Sequence, residues 1–105
     1  SFENKLDQAE ELLNTLYELE SLNEEVYIQK ASILSKRDEH QKAIHVLQSA
    51  LDFSRDKEII SDIYSLIGME HLFMDNFVDA KTCFIKVDST TSVNSLKAIY
   101  NVFIQ

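Results

Sequence analysis

Proline is absent from this 105-residue chain, and glycine occurs once, at Gly68. Sheet proteins of this length need turn residues in quantity, and Gly, Pro, Asn and Asp dominate such turns. Their scarcity excludes an all-β design. In a chain rich in Leu, Glu, Lys and Ala it predicts an all-α fold. Cysteine is nearly missing too: Cys83 stands alone and cannot form an intramolecular disulfide, so folding needs no oxidising compartment. No apolar stretch approaches the length of a membrane span, and no signal peptide is visible. These absences predict a cytoplasmic protein that engages no membrane.

Positive charge is also scarce. Ten Lys and Arg stand against eighteen Asp and Glu, a formal net charge of −8. The imbalance is concentrated in residues 1–25, where eight acids face only Lys5, a balance of −7. An acidic surface repels phosphate backbones, whose binding rests largely on Lys and Arg contacts. With no basic stripe to override this, nucleic acid is excluded as a partner. The acidic run reads either as a solvated helix face or as a docking patch for a basic partner.

Reactive groups are few and poorly placed. His40 and His45 lie five apart on a helix, a poor spacing for shared metal ligation. Cys83 and His71 suggest a nucleophile and base, but no third group orients them and no Gly-rich loop offers an oxyanion hole. No phosphate loop, zinc pattern or dinucleotide fingerprint is present. The expectation is a protein without catalytic residues, metal or cofactor.

What the chain does contain is apolar residues, 45% of the total, arranged in a repeat. Three segments share one pattern: Ala9-Leu13-Leu16, Ala43-Leu47-Ala50 and Ala80-Phe84-Val87. The first two lie 34 residues apart and the second and third 37. Spacings of four then three place each trio on one helix face. Two of these helices are preceded by another with its own pattern, an aromatic followed four residues later by a small residue: Tyr27 and Ala31, then Tyr64 and Gly68. In both, the small residue lies twelve before the next Ala. Asp38 with Gln41 and Ser21 with Glu24 read as capping boxes, and Asp75 and Asn76 as an N-cap. Six helices are predicted, at about 2–19, 23–36, 39–53, 58–73, 76–87 and 92–104.

These residues resemble the tetratricopeptide repeat family, whose unit is a helix–turn–helix of about 34 residues with an aromatic, a Leu-Gly pair, a Tyr, an Ala and a Phe at set places. Residues 58–87 match better, through Tyr64, Ile67-Gly68, Phe77, Ala80 and Phe84; residues 23–53 match through Tyr27, Ala31, Leu34, Ala43, Leu47 and Ala50. The Pro that commonly closes a unit is missing, and the junction after residue 53 is three residues longer than the family period. The resemblance implies one helical-repeat domain, a right-handed solenoid of antiparallel helix pairs. Helix 2–19 resembles a second helix without its first, and helix 92–104 a first helix or a cap. A fragment of a longer array, opening on Ser1 without an initiator Met, is expected to expose apolar end helices through which copies can self-associate.

The resemblance also implies where a partner sits. In the family, first helices line a concave groove that takes up peptides or helices. The matching residues are Ile28, Ser32, Ser35 and Lys36, then Ser65, Met69, Leu72 and Phe73; the same residues read without the family are packing positions. One subset of the family grips a partner's C-terminal carboxylate with a clamp of cations, and Lys36 alone does not make such a clamp. The function expected is a non-enzymatic protein–protein interaction scaffold, the alternative a peptide- or ligand-sensing domain of a larger regulatory protein. Gly68, mid-helix, costs about 1 kcal/mol against Ala, which points to a close helix contact. Leucine there is expected to overpack, and alanine to be tolerated with little loss.

Overall fold

A computed structural model of the chain describes residues 1–19, 23–87 and 100. Among them are five α-helices and no strand: α1 (Phe2–Leu19), α2 (Glu24–Lys36), α3 (His40–Phe53), α4 (Lys57–Phe73) and α5 (Phe77–Ile85). The sixth helix expected at 92–104 lies outside the described residues apart from Tyr100. The chain divides into two compact units, Ser1–Phe53 and Ser54–Gln105.

In the first unit, α2 packs on α1 and on α3. The ring of Tyr27, at the start of α2, meets that of Phe53, at the end of α3, with centroids 5.1 Å apart. Only an antiparallel pair brings those two ends together. Tyr27 also meets Tyr17, late in α1, at 5.2 Å, so α1 runs antiparallel to α2 as well. Ala31, Ala43, Ile44, Leu47 and Ala50 are buried between these helices' apolar faces. In the second unit α4 packs on α5. Leu72 and Ala80 form a buried pair flanked by Met69 and Phe84, and the Lys86 ammonium lies 5.2 Å from the Tyr64 ring centre. The contacts 64 with 86, 68 with 84 and 72 with 80 define one antiparallel register.

The two hairpins turn in the same way. Asp38 donates its N–H to Ser35 O at 3.0 Å, and Glu39 to Leu34 O at 2.9 Å. Thirty-seven residues on, Asp75 donates to Leu72 O at 3.0 Å and Asn76 to His71 O at 2.8 Å. These paired bonds are a Schellman motif, whose C′ residue is left-handed. Asp38 and Asp75 both have φ 61°. Neither is therefore the N-cap expected of it: each closes the helix before the turn instead of opening the one after. Asn76 holds the N-cap position of α5, but its side chain makes no capping bond. A left-handed conformation costs an L-residue about 1–2 kcal/mol, less for Asp. Asp75→Gly should therefore raise stability by about 0.5 kcal/mol, read as a higher urea midpoint with an unchanged slope. A lower midpoint would show that the carboxylate holds the turn.

Capping elsewhere also departs from expectation. Ser21 lies outside the described residues, and α2 is capped by Asn23, whose side chain accepts the Glu25 N–H at 3.0 Å. Asp56 caps α4, accepting from Glu58 N–H at 2.9 Å and Ile59 N–H at 3.4 Å. That cap explains the three extra residues of the longer junction. They form no loop; α4, with 17 residues against 13 in α2, begins about one turn earlier.

Gly68 lies where the sequence places a close contact. A Cβ built on it would stand 2.5, 2.7 and 2.9 Å from three carbons of the Phe84 ring. The expected mildness of Gly68→Ala is thereby corrected, since even a methyl group requires the ring to move.

Candidate partner-binding site

Each unit carries its own share of the residues expected to receive a partner. On α2, Ile28, Ser32, Ser35 and Lys36 share one face by spacing; the first three are half-buried and Lys36 is exposed. On α4, at the same register 37 residues later, Ser65 and Met69 are half-buried, Leu72 is 7% exposed and Phe73 is 54% exposed. Leu72 packs against Ala80, with Met69 beside it. These two serve the hairpin core, which leaves Phe73 as the accessible apolar side chain on the α4 face and Lys36 as its charged counterpart on α2. Of the signature residues, Tyr27, Ala31, Ala43, Leu47, Gly68 and Ala80 are buried, while Tyr64 and Phe84 are half-buried.

The acidic run has a role that sequence reasoning missed. Glu3, Asp7 and Glu10 recur along one face of α1, and all three converge on Arg37, just past the end of α2. The Arg37 Nε lies 3.0 Å from Glu3 Oε1, and Nη1 donates to Glu10 Oε1 at 3.2 Å. Nη2 pairs with Asp7. Burial works to lower the pKa of this guanidinium, but the Glu10 hydrogen bond and the charges of Glu10, Glu3 and Asp7 outweigh it and hold the group above its usual value. Three of the eight acids thus neutralise an internal cation, and Glu11 and Glu18 remain exposed on α1. The signal available was the spacing 3, 7, 10 on one helix face; the cation lies 27 to 34 residues away.

Burial also shifts two further groups, Tyr27 and Cys83. Burial, then a hydrogen bond and charge from Tyr17, push the Tyr27 phenol up to about 12. An open-chain phenol titrates at about 10, so the folded state holds this proton more tightly. Its contribution to stability is complete below about pH 10 and is lost as pH rises from about 10 to 12. Absorbance titration should show one of the tyrosines ionising together with unfolding in that window; in Tyr27→Phe that phase should be missing. Burial also raises the Cys83 thiol, offset by Lys86 and reinforced by Asp79, which makes it a poor nucleophile near neutral pH.

A shallow hollow on α1 is lined by Asn4, Asp7, Gln8, Glu10, Glu11 and Asn14. Its walls come from a single helix, and it lies broadly open to solvent. Among the described residues no group of three or more His, Cys, Asp or Glu is placed to hold a metal ion, and no helix is long and apolar enough to cross a membrane. No protein-family model matches the chain, and no curated protein matches it in sequence.

Proposed function

We propose that this chain is a tetratricopeptide-like repeat scaffold that binds another protein, as a peptide or a helix, and catalyses no reaction. Its hairpins, on this reading, stack as a right-handed α–α solenoid and present the faces of their first helices to the partner. The observation that carries the reading is the turn made twice: Asp38 and Asp75 with the same φ, the same pair of backbone bonds, and the same spacing to Ala43 and Ala80. A unit repeated in register is the mark of an array whose members stack on neighbours. The dominance of acids disfavours nucleic acid, and a fold that needs no disulfide suits a cytoplasmic setting.

Lys36 and Phe73 are the residues to test because both are exposed, so charge changes there leave the hairpin cores intact. A protein captured by the wild-type chain should be lost on Phe73→Glu and weakened on Lys36→Glu, with the helical circular dichroism unchanged. Undiminished capture by both variants would reject these faces as the binding surface.

A further inference from the structure

We propose that the partner received by the α4 face is an amphipathic helix with apolar residues at i, i+4 and i+7 and a lysine or arginine at i+11, lying antiparallel to α4. The inference rests on the proposed function and deepens it, naming the chemistry of the partner.

The stripe that carries it runs through Asp62, Leu66, Met69 and Phe73, whose spacings of four, three and four keep them on one side of α4. Leu66, not among the residues expected from the sequence, is 37% exposed, and Phe73 is 54% exposed. Half-buried Met69, beside the Leu72 and Ala80 pair, lies between them along the stripe. Asp62 continues the same line and is exposed, and exposed Glu58 stands one turn before it. The one Lys or Arg of α4 is Lys57, five residues before Asp62 and so about 140° around the helix from it. The face is therefore apolar over two turns and acidic at one end. A partner that covers it has to set apolar side chains against Leu66 and Phe73. It also has to bring a cation to Asp62, or a lone carboxylate is desolvated.

The first hairpin is different here. Thirty-seven residues earlier, the same places on α2 hold Glu25, Gln29, Ser32 and Lys36. Gln29 donates its side-chain amide to Glu25 Oε1 at 2.7 Å, and no apolar residue occurs on that line. A polar stripe whose acid is already hydrogen-bonded offers no anchor, so anchoring falls to α4. Asp62 and Phe73 are eleven residues apart, about 16 Å along the axis, and a helical partner of the same pitch repeats the spacing in reverse. Cations are favoured in the last turn of a helix by its dipole. The base therefore comes at the C-terminal end of the partner, which makes the pair antiparallel. A second copy meets these demands poorly: pairing α4 with α4 in this way sets each Asp62 carboxylate against a Phe73 ring, without a cation.

A fluorescent peptide of alanine and glutamine, with leucine at i, i+4 and i+7 and lysine at i+11, supplies this chemistry; a second peptide carries glutamate at i+11. Titrated with the intact chain at low salt, the lysine peptide should bind saturably and gain helical circular dichroism. Leu66→Glu should weaken it about tenfold or more. Asp62→Lys should weaken the lysine peptide several-fold and tighten the glutamate peptide, while Glu25→Lys on α2 leaves both unchanged. Asp62 is exposed, so its exchange retains the fold even where Leu66→Glu does not. No saturable binding would overturn the proposal, as would sedimentation showing a dimer of the chain alone that Leu66→Glu dissociates. Binding lost on Phe73→Glu but indifferent to Asp62→Lys would reject the basic partner and leave the proposed binding face standing. Binding indifferent to Phe73→Glu as well would take both down.

Discussion

Replacing Gly68 with leucine should lower the stability of the protein by about 3 kcal/mol or more, at the upper end of what overpacking costs. The Cβ alone would lie 2.5 Å from the Phe84 ring, and three further carbons would have to enter the same crossing between α4 and α5. Neither helix can withdraw freely, because Leu72 and Ala80 are packed one turn along. Gly68→Ala is the more discriminating variant. Alanine gains about 1 kcal/mol of helix propensity over glycine, so a site with room would become more stable. Here the half-buried ring must swing away, and the expected result is a net loss of about 1 kcal/mol. Shrinking the ring should release the strain: in a Phe84→Leu background the alanine substitution should become neutral or favourable, a coupling that a double-mutant cycle in urea measures. A Gly68→Leu protein that melts like wild type would contradict the packing described for this hairpin.

Exchanging Arg37 for glutamate should release α1 from α2. Leu6 is the only residue of α1 that is fully buried, so apolar burial contributes modestly and the ionic cluster contributes much of the attachment. The exchange removes the shared counter-ion and sets a fourth carboxylate among Glu3, Asp7 and Glu10. Amide exchange in α1 should rise towards the rate of an open helix, while the amides of Ala43 and Leu47 in α3 stay protected. Arg37→Lys should give a partial effect, because a point charge cannot engage three carboxylates as a planar fork does. Added salt should loosen wild-type α1 in the same direction but less, as the cluster is only partly screened. Unchanged protection across α1 in the glutamate variant would show that the cluster is incidental.

The parts of this fold legible in the sequence were those set by local repetition. Helix limits followed from the 3.6-residue apolar period and the lack of Pro and Gly, and fell within two residues of those observed at every described end. Burial of Ala43, Leu47, Ala50 and Ala80 followed from their shared spacing, and the close approach at Gly68 from a glycine standing where glycine is costly. Positions open to two readings were less legible. Asp suits an N-cap and also tolerates the left-handed C′ site, so Asp38 and Asp75 were one residue role away from their real place. Leu72 lies on the helix face shared with Phe73 by sequence spacing, yet its side chain packs against Ala80, a distinction that depends on how α4 and α5 cross. Arg37 was not legible at all as the partner of Glu3, Asp7 and Glu10, because nothing in α1 specifies which cation lies opposite once α2 has packed.

Two hairpins built in one register underlie the proposed binding faces and the stability of this chain, and nuclear Overhauser contacts test that most directly. The rings of Tyr27 and Phe53 should show mutual contacts, and the Gly68 Hα protons should show contacts to the Phe84 ring. Rings of Phe53 and Phe84 without those neighbours, in a protein that remains helical, would contradict the account.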